Sequence, residues 1–327
     1  MIPKYIIRKS IFYFFSFWFI LFIDFLIPHL MPGNPVDAVI GSLSQTTSLT
    51  SQQITSLKDS LGFTNGPITS EFLTFVVNIF SGKFGTSIQY YPTPAIDIIR
   101  QSIVWTILLF GTALILSFMI GNYLGLKSAH QRASKRDGTV SVMSLFFYSF
   151  PYFWMALLFL YIFSIKNHIF PESGAYSHLV AYLSPAFFFS VLTHIILPLS
   201  TLILASYGAW YLGMRNNTIS TLNEDYLKYA EIAGLKKEKI ISYSKKNAIL
   251  PNLTGFALSL GNIIGGGILV EMVFSYPGLG FDIYNAVINE DFPVLETAFF
   301  LIIIAVLVAN FVMDLLYYRL DPRIREA

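Results

Sequence analysis

The sequence predicts an all-α integral membrane protein with six transmembrane helices. Of its 327 residues, 54% are hydrophobic and only 12% are charged, whereas an ordinary soluble domain carries about 25% charged residues. Six apolar windows are each long enough to cross a hydrocarbon layer, which takes about 20 residues. Lys and Arg residues concentrate in alternate connecting segments, as the positive-inside rule requires. These observations exclude a soluble enzyme and a disordered chain.

The six windows account for most of the apolar residues. They are 11–31, 102–126, 139–164, 187–213, 252–273 and 296–318. The first contains Asp24, which costs roughly 3 kcal/mol at a helix centre, but its 14 Leu, Ile and Phe residues offset this by roughly 4 to 8 kcal/mol. Because no A-x-A cleavage site follows the window, we expect an uncleaved helix.

The distribution of basic residues predicts the orientation. With the N-terminus in the cytoplasm, 17 of the 21 Lys and Arg residues lie on the inner side, and only Lys58, Lys83, Arg100 and Lys166 remain outside. Both termini are therefore expected to be cytoplasmic. The predicted segments are a cytoplasmic N-terminus with the first helix (1–31), an extracytoplasmic segment (32–97), a transmembrane core (98–318) and a cytoplasmic tail (319–327).

The longest inner segment, 214–250, carries signals for ordered helices. Thr221 and Glu224 predict a capping box that starts a helix over 225–233, and Gly234 is placed to end it. A second helix is expected over 236–249. Four residues of the first helix share one face at helical spacing: Tyr226, Tyr229, Ala230 and Ala233. Such a face either docks on another protein or lies among lipid headgroups, and the pattern alone leaves both open.

Polar and small residues inside the windows are expected to serve packing. Gly261 and Gly265 form a G-x-x-x-G pattern followed by Gly266, which allows close helix approach or forms part of a gate. Five ionisable residues within or near the spans are expected to make structural polar contacts rather than to touch a substrate: Asp24, His194, Glu271, Glu296 and Asp314.

The sequence shows no pattern that is typical of an enzyme. H-E-x-x-H, G-x-S-x-G, dinucleotide-binding and phosphate-loop motifs are all absent from the sequence. Without Cys, thiolate metal sites and disulfides are excluded, and a net charge of +2 does not favour nucleic acid. We therefore expect no catalytic residues, no metal and no cofactor in this chain. A stand-alone channel or secondary transporter remains an alternative, although we see no clear internal repeat.

Six stretches, in order along the chain, resemble one family. They are LMPGNPVDAVIG (30–41), GKFGTSI (82–88), DYLKYAEIAGL (225–235), KNAILPN (246–252), VEMVFSYPGLG (270–280) and DLLYYRLDPRIR (314–325). Together they resemble the inner-membrane permeases of oligopeptide/dipeptide-type ABC importers, and the resemblance covers nearly the whole chain. One departure from the general pattern is Lys228, which stands where many such permeases have Glu; the peptide-importer branch commonly has a basic residue there.

The resemblance implies a type I ABC importer permease fold in the cell membrane, with 98–318 as its core and 214–250 as its coupling (EAA) loop. It implies an alternating-access pathway for peptides, with oligosaccharides or a nickel complex as alternative substrates. The implied partners are a second homologous permease, two ATP-binding subunits that hold ATP and Mg, an extracytoplasmic substrate-binding protein and the bilayer. Segment 32–97 either helps to seat the binding protein or is a passive loop. Five residues would dock on an ATPase: Asp225, Tyr226, Ala230, Gly234 and Leu235.

Overall fold

The computed structural model describes residues 4–30, 67–177, 179–261, 263 and 267–320. Within them the regular secondary structure is helical, which confirms the all-α prediction. The helices are α1 Lys4–Leu30, α2 Ile68–Phe80, α3 Ala95–His130, α4 Lys135–Ser149, α5 Tyr152–Lys166, α6 Pro185–Leu222, α7 Asp225–Ile232, α8 Lys237–Ala248, α9 Leu250–Gly261, α10 Ile268–Val273, α11 Leu279–Ile288 and α12 Phe292–Leu320.

Four of the described helices contain a segment long and apolar enough to cross a membrane. These segments are Tyr5–Ile27, Ala95–His130, Pro185–Leu222 and Phe292–Leu315, and they match the first, second, fourth and sixth predicted windows. A fifth span results if α4 and α5, which are bent by 95° relative to each other, cross together. The remaining window, 252–273, holds the short helices α9 and α10, and residues 262 and 264–266 lie outside the described part.

The bend between α4 and α5 has a local cause. Phe150 has an extended conformation (φ −84°, ψ 127°) because the ring of Pro151 disfavours the helical region for the preceding residue. Pro151 also lacks the N–H that would continue the hydrogen-bond ladder of α4. The predicted window 139–164 is therefore divided into two helices rather than one straight span.

The chain forms two compact units. One comprises Met1–Trp105 and Pro277–Ala327, and the other comprises Thr106–Tyr276. In the first unit, Leu21 of α1, Ile79 of α2 and Phe300 of α12 form a buried cluster. α1 and α12 are also joined through Asp314, which accepts a hydrogen bond from the Tyr13 hydroxyl at 2.7 Å and pairs with Lys9 at 2.9 Å.

The stretch 82–88 is held by a carboxylate of the same unit. Gly82 and Gly85 both have positive φ, at 72° and 74°, a conformation that favours glycine. The hydroxyl of Ser87 donates to buried Asp291, and the backbone N–H groups of Ile88 and Gln89 donate to the same carboxylate at 3.1 and 3.2 Å. Both the glycines and the serine of this stretch therefore have structural roles.

In the second unit, α3 and α6 cross in very close contact. A Cβ atom on Gly121 would lie 2.5 Å from the carbonyl oxygen of Tyr207, and one on Gly125 would lie 2.5 Å from that of Tyr211. The two glycines form a G-x-x-x-G pattern, which allows this approach. A buried amide pair adds α9, because Asn252 donates to the Asn122 side chain at 2.8 Å. This crossing holds α6, the helix that directly precedes α7 in the chain.

Candidate functional site

Helix α7 follows α6 after a connection of only two residues, Asn223 and Glu224. The predicted capping box at this point is wrong. Thr221 lies in the last turn of α6, and its hydroxyl donates to the Asn217 carbonyl at 2.8 Å. Glu224 is instead the N-cap residue of α7 and makes no side-chain cap bond. The prediction failed because α6 extends nine residues beyond the predicted window and uses Thr221 itself.

The C-terminal end of α7 is closed by a Schellman motif. Gly234 has φ +75°, and its N–H donates to the Glu231 carbonyl at 3.0 Å, while the Leu235 N–H donates to the Ala230 carbonyl at 3.1 Å. This pair of bonds satisfies carbonyls that the helix leaves free. The predicted helix over 225–233 and its terminating glycine are thus confirmed, with a one-residue difference in the end point.

Helix α7 has one anchoring residue and one exposed apolar strip. Leu227 is 2% exposed and packs inward, and Ala230 is half-buried. Tyr226, Tyr229 and Ile232 are 45%, 70% and 82% exposed, and we call these three residues the exposed strip. The sequence analysis missed Leu227, although its spacing of three from Ala230 is the pattern of a buried face.

Helix α8 holds α7 from the side. The amide of Asn247 donates to the Tyr226 hydroxyl at 2.5 Å, and Ser244 and Ala248 of α8 are buried. Lys228 pairs with Asp225 at 3.1 Å on the exposed surface, where such a pair contributes little stability. Asp225 and Lys228 are therefore available to solvent or to a partner, and the strip beside them keeps its position through Leu227 and Asn247.

A buried polar network connects α6 to α3 and α4. Arg215, ten residues before α7, donates to Asp137 from Nε at 2.9 Å and from Nη2 at 2.8 Å. Ser128 of α3 donates to the same carboxylate at 2.5 Å and contacts the Tyr211 hydroxyl at 2.8 Å. Asp137 is 5% exposed, and a bidentate Arg–carboxylate pair fixes both distance and orientation. This end of α6 is thus held rigidly by its neighbours.

The predicted glycine cluster is described only in part. Gly261 is the last residue of α9, and Gly265 and Gly266 lie outside the described residues. The next glycine, Gly267, packs directly on the ring of Phe110, because a Cβ atom would overlap that ring. Whether the three predicted residues serve packing or a gate stays a prediction.

The five ionisable residues differ in their surroundings. Glu271 accepts a hydrogen bond from the Thr106 hydroxyl at 2.7 Å, and Asp314 contacts α1, so both make structural contacts as predicted. The ring of His194 bonds the Ser190 carbonyl of its own helix at 2.7 Å. Asp24 does not make the expected polar contact, because it is buried and neither of its carboxylate oxygens has a hydrogen-bond partner among the described residues. Glu296 is half-buried on α12.

Comparison with known proteins identifies the relatives of this chain. Residues 121–326 match the family described as binding-protein-dependent transport system inner membrane component. The chain is 30% identical to the oligopeptide transport system permease protein AppB of Bacillus subtilis over 98% of both chains. It is 26% identical to the dipeptide transport system permease protein DppB of Lactococcus lactis (98% and 99% covered). It is also 26% identical to the metal-staphylopine import system permease protein CntB of Staphylococcus aureus (99% and 98%).

Proposed function

The chain belongs to the family of binding-protein-dependent transport system inner membrane components, a multi-pass membrane protein family, and on this premise we propose that it is a permease subunit of an ATP-driven ABC importer for peptides. It forms half of a translocation pathway that alternates between outward-facing and inward-facing states. In this proposal the chain crosses the membrane six times with both termini in the cytoplasm. It has no catalytic residues, and ATP and Mg are held by partner subunits.

The observation that carries the proposal is the exposed strip on α7. Tyr226, Tyr229 and Ile232 are exposed on a short helix that buried Leu227 anchors and that Gly234 closes at its C-terminal end, so their exposure does not come from a frayed segment. Aromatic side chains are enriched where protein interfaces bind most tightly. The segment 214–250 also carries seven Lys and Arg residues, which favours the cytoplasmic side. A cytoplasmic ATPase subunit is therefore the occupant that we propose for this strip.

The connection to the membrane supports the same role. A partner that moves α7 pulls directly on α6, since only Asn223 and Glu224 separate the two helices. The Asp137–Arg215 pair then passes the displacement to α3 and α4. ATP-driven movement at the docking helix is by this route converted into rearrangement of the spans. The predicted docking residues Asp225, Tyr226, Ala230, Gly234 and Leu235 remain part of the proposal, and Ala230 and Leu235 are the two that are half-buried.

The family description, in which transport depends on a binding protein, supports the proposed partners. We propose a second homologous permease, two ATP-binding subunits and an extracytoplasmic substrate-binding protein. Segment 32–97 is proposed to help seat that binding protein. Peptides are the preferred substrate because two relatives are named for peptides. The third relative is named for metal-staphylopine import, which favours a metal complex as the second candidate substrate. Oligosaccharides remain the third candidate substrate.

Replacement of Tyr229 by Ala tests the proposal. Tyr229 is 70% exposed, so its loss leaves the fold intact, whereas loss of an interface aromatic typically weakens binding by about 2 kcal/mol or roughly 30-fold. We expect less ATPase subunit to co-purify with a tagged Tyr229→Ala chain and uptake to fall in parallel. Tyr243→Ala on α8 is the matched control, since Tyr243 is 40% exposed but lies outside the strip. Equal ATPase recovery from both variants and from the unmodified chain would disprove docking through the strip.

A further inference from the structure

A cavity of about 360 Å³ lies between the end of α3 and the beginning of α4. This size is within the range of roughly 300–1,000 Å³ that small-molecule sites occupy. Its polar lining consists mainly of donors and its apolar lining of two aliphatic side chains. The lining side chains used below are Leu124, Lys127, Gln131, Lys135, Arg136 and Val140.

The cavity carries unbalanced positive charge. Lys127, Lys135 and Arg136 are exposed, and within the described part of the chain none of the three forms an ion pair. Lys127 lies only over the ring of Tyr123, at 6.0 Å. The single carboxylate in the lining, Asp137, is already neutralised by the bidentate contact with Arg215. Three cations therefore line one cavity, and no further anion compensates them among the described residues.

The apolar side of the cavity continues onto the surface of the spans. Leu124 and Val140 line the cavity itself, and Tyr123, the residue before Leu124 on α3, is 64% exposed. A ligand that matches both features has an anionic head and an apolar tail. Basic pockets between transmembrane helices at the cytoplasmic side are suited to phospholipid headgroups. Basic residues that serve only topology would be solvated singly and would not need to line the same open cavity.

We propose that this cavity binds the phosphate group of an anionic phospholipid from the cytoplasmic leaflet, with an acyl chain along Leu124 and Val140. The cations hold the phosphate, and Gln131 donates a further hydrogen bond. The leaflet assignment rests on the orientation given under the proposed function, whereas binding itself does not. The lipid would contact both α3 and α4, next to the Asp137–Arg215 pair.

Native mass spectrometry of the affinity-purified complex tests this site. Stripped complex is titrated with phosphatidylglycerol and, separately, with phosphatidylcholine. The test variant is Lys127→Gln/Lys135→Gln/Arg136→Gln, and the charge-matched control is Lys239→Gln/Lys245→Gln/Lys246→Gln on α8. Since each basic side chain near an anionic lipid contributes about fivefold in affinity, we expect the test variant to bind phosphatidylglycerol about 100-fold more weakly. The control variant should bind it as the unmodified chain does.

The outcomes separate the alternatives. Selective loss of phosphatidylglycerol in the test variant, with phosphatidylcholine bound weakly throughout, supports the site. Equal binding to all three proteins, or equal loss in both variants, overturns it. Sodium phosphate is added to the lipid-bound complex as a competitor. If phosphate displaces the lipid completely and itself stays bound, the cavity is a site for a free anion instead, which would overturn the lipid proposal. Because the measurement requires neither uptake nor ATP, its failure is distinguishable from failure of the transport proposal.

Discussion

Gly234 has the most specific requirement of any single residue in the candidate site. Its φ of +75° closes α7, and no atom lies within 4 Å of the position of a Cβ atom. A side chain at this position would thus meet no neighbour, and any penalty would come from the backbone alone. This requirement was predictable from sequence, because a left-handed helix end depends only on the residue itself.

Two substitutions at position 234 separate conformation from contact. We expect Gly234→Val to weaken ATPase co-purification and uptake, because the left-handed conformation costs a residue with a Cβ atom about 1–2 kcal/mol. Gly234→Asn should retain most of both, since Asn tolerates this conformation. Membrane insertion should be unaffected in each case. Equal loss in the Val and Asn variants would show that the glycine is needed for a close contact with the partner and not for its φ.

Leu227 shows the limit of prediction at the same scale. The four-residue face proposed from spacing includes Ala230, which is half-buried, and omits Leu227, which is almost fully buried. Spacing alone cannot say which side of a short amphipathic helix meets its own protein and which side meets a partner. Tertiary packing decides this, and here the aliphatic side chain packs inward while the tyrosines remain outside.

The Asp137–Arg215 pair predicts a second residue-level effect. Removal of one partner from a buried ion pair leaves an uncompensated charge, so Asp137→Asn should destabilise the protein by about 3 kcal/mol. This loss of stability is at the lower end of the usual range for a buried ion pair, because the Arg215 side chain is 22% exposed and therefore partly solvated. The double variant Asp137→Asn/Arg215→Gln should recover part of the loss. Thermal unfolding of the purified protein measures this, and additive losses in the double variant would contradict a direct coupling.

At the scale of elements, the close crossing of α3 and α6 depends on small residues. The sequence analysis singled out Gly261 and Gly265, yet the crossing that the structure shows uses Gly121 and Gly125. Both pairs fit G-x-x-x-G, and the pattern does not identify the helix that will approach. The stretch G-N-Y-L-G was a usable signal, because it lies within the second apolar window.

One substitution made at two glycines tests this crossing. A Cβ atom on Gly125 would lie 2.5 Å from the Tyr211 carbonyl oxygen, whereas Gly138 of α4 has nothing within 4 Å. Gly125→Ala should destabilise by about 1–3 kcal/mol through overpacking, while Gly138→Ala should stabilise by roughly 0.5–1 kcal/mol. The midpoint of thermal unfolding in detergent distinguishes the two signs. A Gly125→Ala protein as stable as the unmodified one would contradict the close crossing.

Element boundaries were predicted best where local chemistry sets them. The second helix of the inner segment, expected over 236–249, spans Lys237–Ala248. The end of α6 was missed because an apolar window marks the hydrocarbon layer, and this helix continues past it to Leu222. The division at Pro151 was also missed, although the proline itself was visible in the sequence.

For the whole molecule, composition was sufficient to predict the class. Low charge and long apolar windows require a membrane protein, and four to five spans are supported by the helices described. The number of crossings depends on how α4, α5, α9 and α10 are placed in a bilayer, and hydropathy alone does not encode that placement. Energy coupling is likewise assigned to partner subunits in the proposed function, because the sequence has no phosphate-binding loop.

Uptake by the reconstituted complex tests the central claim most directly. The complex isolated through a tag on this chain would be placed in proteoliposomes with its binding protein and a radiolabelled oligopeptide. We predict uptake that requires ATP on the side of the ATPase subunits, persists when ionophores collapse ion gradients, and fails with Tyr229→Ala. Uptake by this chain alone, driven by an ion gradient and indifferent to ATP, would contradict the account and identify a secondary transporter.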